Sequence, residues 1–177
     1  ALAKRDFKLA GSTFTRAIGH YPEDADLLYG LAKAYAESDP SQMEEPLHTA
    51  MFTNPDHIPS LLLQAHNQVD AEQYETAKGI LKAIFKINPH HAGSWALQAA
   101  IHTVRNEPDK AREARKSGLK YWKTNPLVDH EIGKKLSSKY LFAEGAAHQR
   151  QALAFSKDYI SAKTQLAQDL LRLGQDD

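Results

Sequence analysis

The sequence predicts an all-α fold assembled from a repeated pair of helices. The chain has 177 residues, and small or apolar side chains return along it every 33 or 34 residues. Three columns keep this period: Ala32, Ala65, Ala99, Gly133, Ala167; Ala10, Met43, Ala77, Ala111, Gly145; and Ala17, Ala50, Ile84, Gly118, Ala152. A period of this length is typical of helical repeat arrays, in which one unit cannot bury its apolar face alone and stacks on its neighbours.

Proline and asparagine predict where the helices begin and end. The residue before a proline is pushed out of the α region, so three dipeptides are predicted to close helices: Tyr21-Pro22, Asn54-Pro55 and Asn88-Pro89. Asn125 is predicted to cap a helix that starts with Pro126. Pro40 and Pro108 are predicted to open second helices. The pattern gives about ten helices, at 2–20, in pairs at 24–54, 57–88, 91–123 and 126–156, and at 159–174.

The period and the residue types resemble the tetratricopeptide repeat (TPR) family, whose pattern is W-x2-L-G-x2-Y, then A-x3-F, then proline. The first half of the pattern is matched by Leu28, Leu31, Ala32 and Tyr35. The second half is matched by Ala10, Phe14 and Pro22. The fourth repeat departs furthest, since Asp129 stands where the family has tryptophan.

The resemblance implies a right-handed α-α superhelix, a TPR solenoid, with about four full repeats and a half repeat at each end. The expected bounds are a half repeat at 1–23, repeats at 24–57, 58–91, 92–125 and 126–159, and a half repeat at 160–177. Because repeat arrays normally end in polar capping units, we expect a piece of a longer protein or ends that pair with a second copy. The final stretch also resembles TPR tracts of larger bacterial multidomain proteins.

Composition excludes several classes of function. Lys+Arg and Asp+Glu number 22 each, so the net charge is zero, which argues against binding nucleic acid. The local basic stretch at 105–123 is interpreted as a solvated helix face. There is no cysteine, which excludes thiolate metal sites and cysteine nucleophiles. No apolar run approaches about 20 residues, so no membrane insertion is predicted; cytoplasmic and exported locations are not distinguished.

The stretch Asp129–Lys135, DHEIGKK, comes close to the zinc-protease signature H-E-x-x-H. Lys134 occupies the position of the second histidine, and a cation cannot replace a metal ligand there. The sequence therefore predicts no metal site, no cofactor and no catalytic residues. His90 and His91 are interpreted as helix-capping or solvated residues. Trp95 and Trp122 are predicted to lie in the core or between repeats.

The resemblance implies that a partner peptide or helix binds the concave face, which is lined by the first helix of each pair. By repeat position, one candidate column comprises Tyr29, Leu62, Ala96, His130 and Thr164. The next column comprises Lys33, His66, Ala100, Lys134 and Gln168. The small side chains in the middle are predicted to leave room for a partner helix, and the flanking lysines and histidines to attract an acidic partner.

Three functional hypotheses follow. The first is a non-enzymatic protein–protein interaction or scaffolding module that binds a peptide or helix of a partner, or of its own parent chain. The alternative is an accessory TPR domain of a larger bacterial enzyme, such as a zincin-type peptidase, with the catalytic residues elsewhere. The third is self-association through the exposed terminal half repeats.

Overall fold

Residues 1–4 and 6–174 are described by a computed structural model of the chain. Within them lie ten α-helices and no strand, which confirms the predicted all-α class. The helices are α1 (Phe7–Ile18), α2 (Ala25–Ser38), α3 (Glu44–Thr53), α4 (Ile58–Asp70), α5 (Tyr74–Ile87), α6 (Ala92–Val104), α7 (Pro108–Gly118), α8 (Pro126–Ser138), α9 (Phe142–Phe155) and α10 (Ile160–Arg172). The predicted terminal half repeat extends over 175–177, which are outside the described residues.

The helices form two compact units, residues 1–67 and residues 68–177. In the first unit, α2 packs against both α1 and α3. Ala32, Met43 and Leu47 form its core, and Tyr35 and Leu63 pack against them. The period-34 columns thus supply core residues here, as the amphipathic pattern requires.

In the second unit, α6 packs against α7 and α8, α8 against α9, and α9 against α10. One core cluster combines small residues of α6 with branched residues of α8, together with two residues from α7 and its end: Ala96, Ala99, Ala100, Ala114, Leu119, Val128, Ile132 and Leu136. Small side chains on one helix allow the larger ones of the next to pack at close range. The alternation of small and large columns therefore accounts for helix pairing in this unit.

Several predicted helix boundaries are confirmed. Asn125 caps α8, because its side-chain oxygen accepts a hydrogen bond from the Leu127 amide at 3.1 Å, and Pro126 is the first helical residue. Pro108 begins α7 as expected. His91 also acts as a cap, since its Nδ1 accepts from the Ser94 amide at 3.2 Å. These side chains satisfy amides that have no partner within the first helical turn.

Two boundary predictions are wrong. The first helix does not span 2–20: Asp6 accepts a hydrogen bond from the Leu9 amide at 3.0 Å, so α1 begins at Phe7. Pro40 opens a short 3-10 turn, Pro40–Gln42, rather than α3. The Asp39 carboxylate accepts hydrogen bonds from the Ser41 and Gln42 side chains, and this local network holds the turn.

The two tryptophans differ in environment. Trp95 packs against the core, stacks on Phe85 with ring centroids 4.1 Å apart, and donates its indole N–H to the Pro89 carbonyl at 2.9 Å. Trp122 is 59% exposed, so the prediction that it lies in the core or between repeats is wrong. It falls in the turn after α7, where no described helix covers it.

Candidate functional site

In the first unit, the predicted groove residues lie on α2 and α4. Lys33 is exposed, and its ammonium sits 5.7 Å from the centre of the Tyr29 ring. His57 meets the same ring edge-on, with centroids 5.8 Å apart. Leu62 and His66 are half-buried. The structure thus brings Tyr29 and Lys33 together as a cation–π pair one helical turn apart.

In the second unit, the predicted groove residues divide into buried and exposed sets. Lys134, Thr164 and Gln168 are exposed on α8 and α10. Ala96 and Ala100 are fully buried, however, and belong to the main core cluster. The expectation that these two alanines leave room for a partner helix is therefore corrected, because the side chains of the neighbouring helix already fill that space.

His130 is a buried structural residue. It is 7% exposed, its Nδ1 lies 2.9 Å from Gln149 Oε1, and the Gln149 side-chain amide donates to the His130 carbonyl at 3.2 Å. Its ring also meets the Tyr159 ring edge-on at 5.2 Å. Burial, with a smaller contribution from Glu131, raises the pKa of Tyr159. His130 therefore joins α8 to α9 and to the start of α10, and its ring is not exposed for contact with a partner.

Asp129 forms a charged cluster that the sequence did not predict. It is fully buried, and both of its oxygens accept hydrogen bonds from the Arg115 guanidinium at 2.7 Å. His148 Nδ1 lies 2.7 Å from the same carboxylate. Burial alone would raise the pKa of Asp129, but the hydrogen bonds and charges of His148 and Arg115 outweigh it and lower the pKa. The carboxylate is thus held in its charged form.

A cleft of about 310 Å³ lies beside this cluster. Its charged lining comes from α7 and α9 and from the residue before α7: Glu107, Arg112, Arg115, Glu144 and His148. Side chains of both charge signs therefore line the cleft. The Arg115–Asp129 pair is a link between α7 and α8, at a repeat position where the chain elsewhere has Leu28, Leu61 and Trp95.

A second polar link joins the start of this unit to α8. Lys135 is 8% exposed and donates to an Asp70 carboxylate oxygen at 2.7 Å. Lys139 donates to the Asp70 carbonyl at 2.9 Å. A long-range ion pair of this kind spans 65 residues of sequence and holds the first-helix face of the unit together.

The part of the chain that the structure describes offers neither a metal cluster nor a membrane-spanning helix. Among its residues no group of three or more His, Asp or Glu side chains is placed to hold a metal ion. None of the helices in ranges 1–4 and 6–174 is long and apolar enough to cross a membrane.

The sequence matches no known protein-family profile and no curated protein sequence. Solved structures do match the fold. The chain is similar to a thermophilic TPR protein of Thermus thermophilus, TTC0263, with a TM-score of 0.72, 21% identity, and coverage of 96% of this chain and 93% of that one. It is also similar to MamA, with a TM-score of 0.60, 18% identity, and coverage of 88% and 91%.

Larger proteins contain the same arrangement as a part. The chain of human IFIT1, in a dimer with m7Gppp-AAAA, matches with a TM-score of 0.66 and 18% identity over 97% of this chain and 43% of that one. A chain of the Cut9–Hcn1 hetero-tetramer of APC/C matches with a TM-score of 0.70 and 14% identity over 96% and 34%. The chain therefore has the TPR-type helical repeat fold that the sequence pattern implied.

Proposed function

We propose that the chain is a protein–protein interaction or scaffolding module without catalytic activity of its own. The observation that carries the proposal is the TPR-type fold, matched over 96% of the chain by a TPR protein of nearly the same length. A fold of stacked helix pairs offers an extended surface and no enclosed reaction chamber. The peptidase-accessory alternative has no support in the comparisons and is not carried further.

The proposed contact surface is the exposed subset of the groove residues of the second unit: Lys134, Thr164 and Gln168, on α8 and α10. In the first unit, Lys33 beside Tyr29 is proposed as a separate contact. Lysines among small polar side chains favour a peptide or helix with acidic groups. His130, Ala96 and Ala100 support this surface from the interior and would not contact a partner directly.

The experiment is a selection of displayed peptides on the immobilised protein, followed by competition with variants. Peptides that bind the proposed surface lose affinity at least tenfold for Lys134→Glu and Thr164→Glu. They retain affinity for Lys82→Glu, a matched charge reversal of an exposed lysine on α5, a second helix. Equal binding to all three variants would place the contact elsewhere and remove the support for this surface.

A further inference from the structure

The two units carry opposite charge, although the whole chain is neutral. Residues 1–67 contain 5 Lys/Arg and 9 Asp/Glu, whereas residues 68–177 contain 17 and 13. Within the second unit, the segments 76–106, 114–128 and 145–157 contain no acidic residue. The argument against nucleic acid rested on the net charge of the whole chain. That net charge conceals an excess of basic residues in one unit.

The basic side chains repeat in register on the second helices. Lys82, Lys116 and Arg150 are spaced by 34 residues on α5, α7 and α9. Lys86 and Lys120 have the same spacing, one turn further along, and Lys123 follows in the turn after α7. Equivalent positions in a repeat array face the same way. We call these six residues the second-helix basic face.

All six side chains are exposed, and none of them pairs with a carboxylate in the part of the chain that the structure describes. Other basic residues of the unit differ, since Arg115, Lys135 and Lys78 are in ion pairs with Asp129, Asp70 and Glu75. A row of exposed basic side chains that are not paired with carboxylates attracts anions.

Exposed aromatic rings lie beside the basic face. Tyr121 is 68% and Trp122 is 59% exposed, in the turn between Lys120 and Lys123. The Tyr121 hydroxyl lies 3.1 Å from His90 Nε2, which connects the turn after α5 with the turn after α7. The Lys120 ammonium is 5.3 Å from the centre of the Tyr121 ring. Tyr121 is therefore braced, and the indole of Trp122 is open to solvent.

We propose that the second-helix basic face binds single-stranded nucleic acid, with phosphates on the lysine rows and a base stacked on Trp122. Single strands are bound without strong sequence preference by a basic surface that follows their phosphate backbone, combined with a solvent-exposed aromatic ring on which a base can stack. An anionic membrane fits less well, because the basic residues extend over α5, α7 and α9, whereas the exposed rings beside them, Tyr121 and Trp122, lie in a single turn. An acidic polypeptide would use the lysines but has no need of an open indole.

The first test measures fluorescence anisotropy of labelled oligo-dT and oligo-rU of about 20 nucleotides, longer than a typical site of about 4–16 nucleotides. The binding constant should fall steeply between about 50 and 200 mM salt, with a slope of about −0.7 per phosphate contacted. The triple variant Lys82→Glu, Lys116→Glu, Arg150→Glu should bind at least tenfold more weakly at low salt.

The matched control reverses three exposed basic residues of the first unit, Lys4→Glu, Lys8→Glu and Arg16→Glu, which changes the net charge by the same amount. Its affinity should stay within about twofold of the parent, because none of the three residues belongs to the second-helix basic face. No binding at low salt, or an equal loss in both triple variants, would overturn the proposal. Circular dichroism verifies that each variant is folded.

The second test addresses the aromatic ring and separates the possible anions. Trp122→Ala should weaken oligonucleotide binding about tenfold, as expected for the loss of one stacked base. Tyr140→Ala removes an aromatic ring that is 83% exposed and outside the basic face, and should have no effect. If Trp122→Ala binds normally, or if phosphatidylserine vesicles or polyglutamate bind more tightly than the oligonucleotides, the proposal is wrong. None of these readouts depends on the proposed peptide surface.

Discussion

Gly133 of α8 and Gly145 of α9 face each other at the closest approach of the two helices. A methyl carbon on Gly133 would lie 2.8 Å from the Gly145 carbonyl oxygen, and one on Gly145 would lie 3.2 Å from the Gly133 carbonyl oxygen. Each distance is too short for an ordinary carbon–oxygen contact. The two positions belong to separate period-34 columns. The close packing of the two helices of a repeat therefore accounts for the small residues in both columns.

We expect Gly133→Ala to destabilise the protein. The added methyl would also lie 2.5 Å from the Gln149 side-chain nitrogen. Because both neighbours are held in a packed interface, relief requires the helices to shift, which costs about 1–3 kcal/mol. The measurement is the free energy of unfolding from urea titration followed by circular dichroism.

The control for this prediction is Gly79→Ala on α5. Gly79 is exposed, and a methyl there would meet nothing within 4 Å. Alanine loses less conformational entropy in a helix, so this variant should gain about 0.5–1 kcal/mol. If both alanine variants shift stability in the same direction, close packing at Gly133 is not the cause.

We expect Arg115→Met to cost more stability than Asp129→Leu. Removing the arginine leaves a carboxylate that is 0% exposed with His148 as its remaining side-chain hydrogen-bond partner, at a cost of about 3–5 kcal/mol. Removing the carboxylate leaves an arginine side chain that is 31% exposed and can turn towards water. Urea unfolding of both variants measures the difference.

A surface pair supplies the comparison for the buried cluster. Arg112 contacts Asp109 on α7, and their side chains are 70% and 86% exposed. Arg112→Met should change stability by less than about 0.5 kcal/mol. A loss at Arg112 comparable to that at Arg115 would show that burial of Asp129 is not the decisive factor.

We expect part of the stability to depend on the neutral form of His91. Burial lowers the pKa of His91, and its Nδ1 accepts the capping hydrogen bond from Ser94, which a protonated ring cannot do. The folded state therefore binds fewer protons than the unfolded state just below the unfolded pKa of about 6.5. This contribution is fully present above about pH 6.5 and is lost as the pH falls through the lower folded pKa.

The measurement is the melting temperature at about pH 8 and about pH 5.5, on either side of the ordinary histidine pKa. In His91→Asn, asparagine retains a capping oxygen and has no titrating proton. The variant should therefore lose less stability than the parent on acidification, because all other residues are the same in both proteins. An identical pH dependence of the two proteins would contradict the role assigned to His91.

Self-association is the third of the hypotheses drawn from the sequence, and α10 provides residues with which to test it. Leu171 is 68% and Leu173 is 38% exposed near the end of that helix. If these leucines pack against a second copy of the chain, the sedimentation coefficient rises with protein concentration. Leu171→Lys should then abolish that rise. Phe52→Lys, at a site 81% exposed in the first unit, serves as the control and should behave like the parent. A coefficient independent of concentration would refute the prediction.

The sequence by itself determined the all-α repeat fold and most of the helix boundaries. A period of 34 residues is local information, because each helix pair must bury the same stripe of residues against the next pair. Caps such as Asn125 and His91 are also local, since a side chain bonds an amide two or three residues away. The predicted repeat bounds and the groove residues stay predictions.

Only the tertiary structure decided which polar side chains are buried and which aromatic rings are open. Asp129 stands where the TPR pattern has tryptophan, and its partners Arg115 and His148 come from two other helices. No local sequence pattern therefore predicts this cluster. Trp122 was expected in the core because it is a large aromatic residue, yet no described helix covers its turn. The burial of a side chain depends on the helices that pack around it, and helical spacing alone does not specify those neighbours.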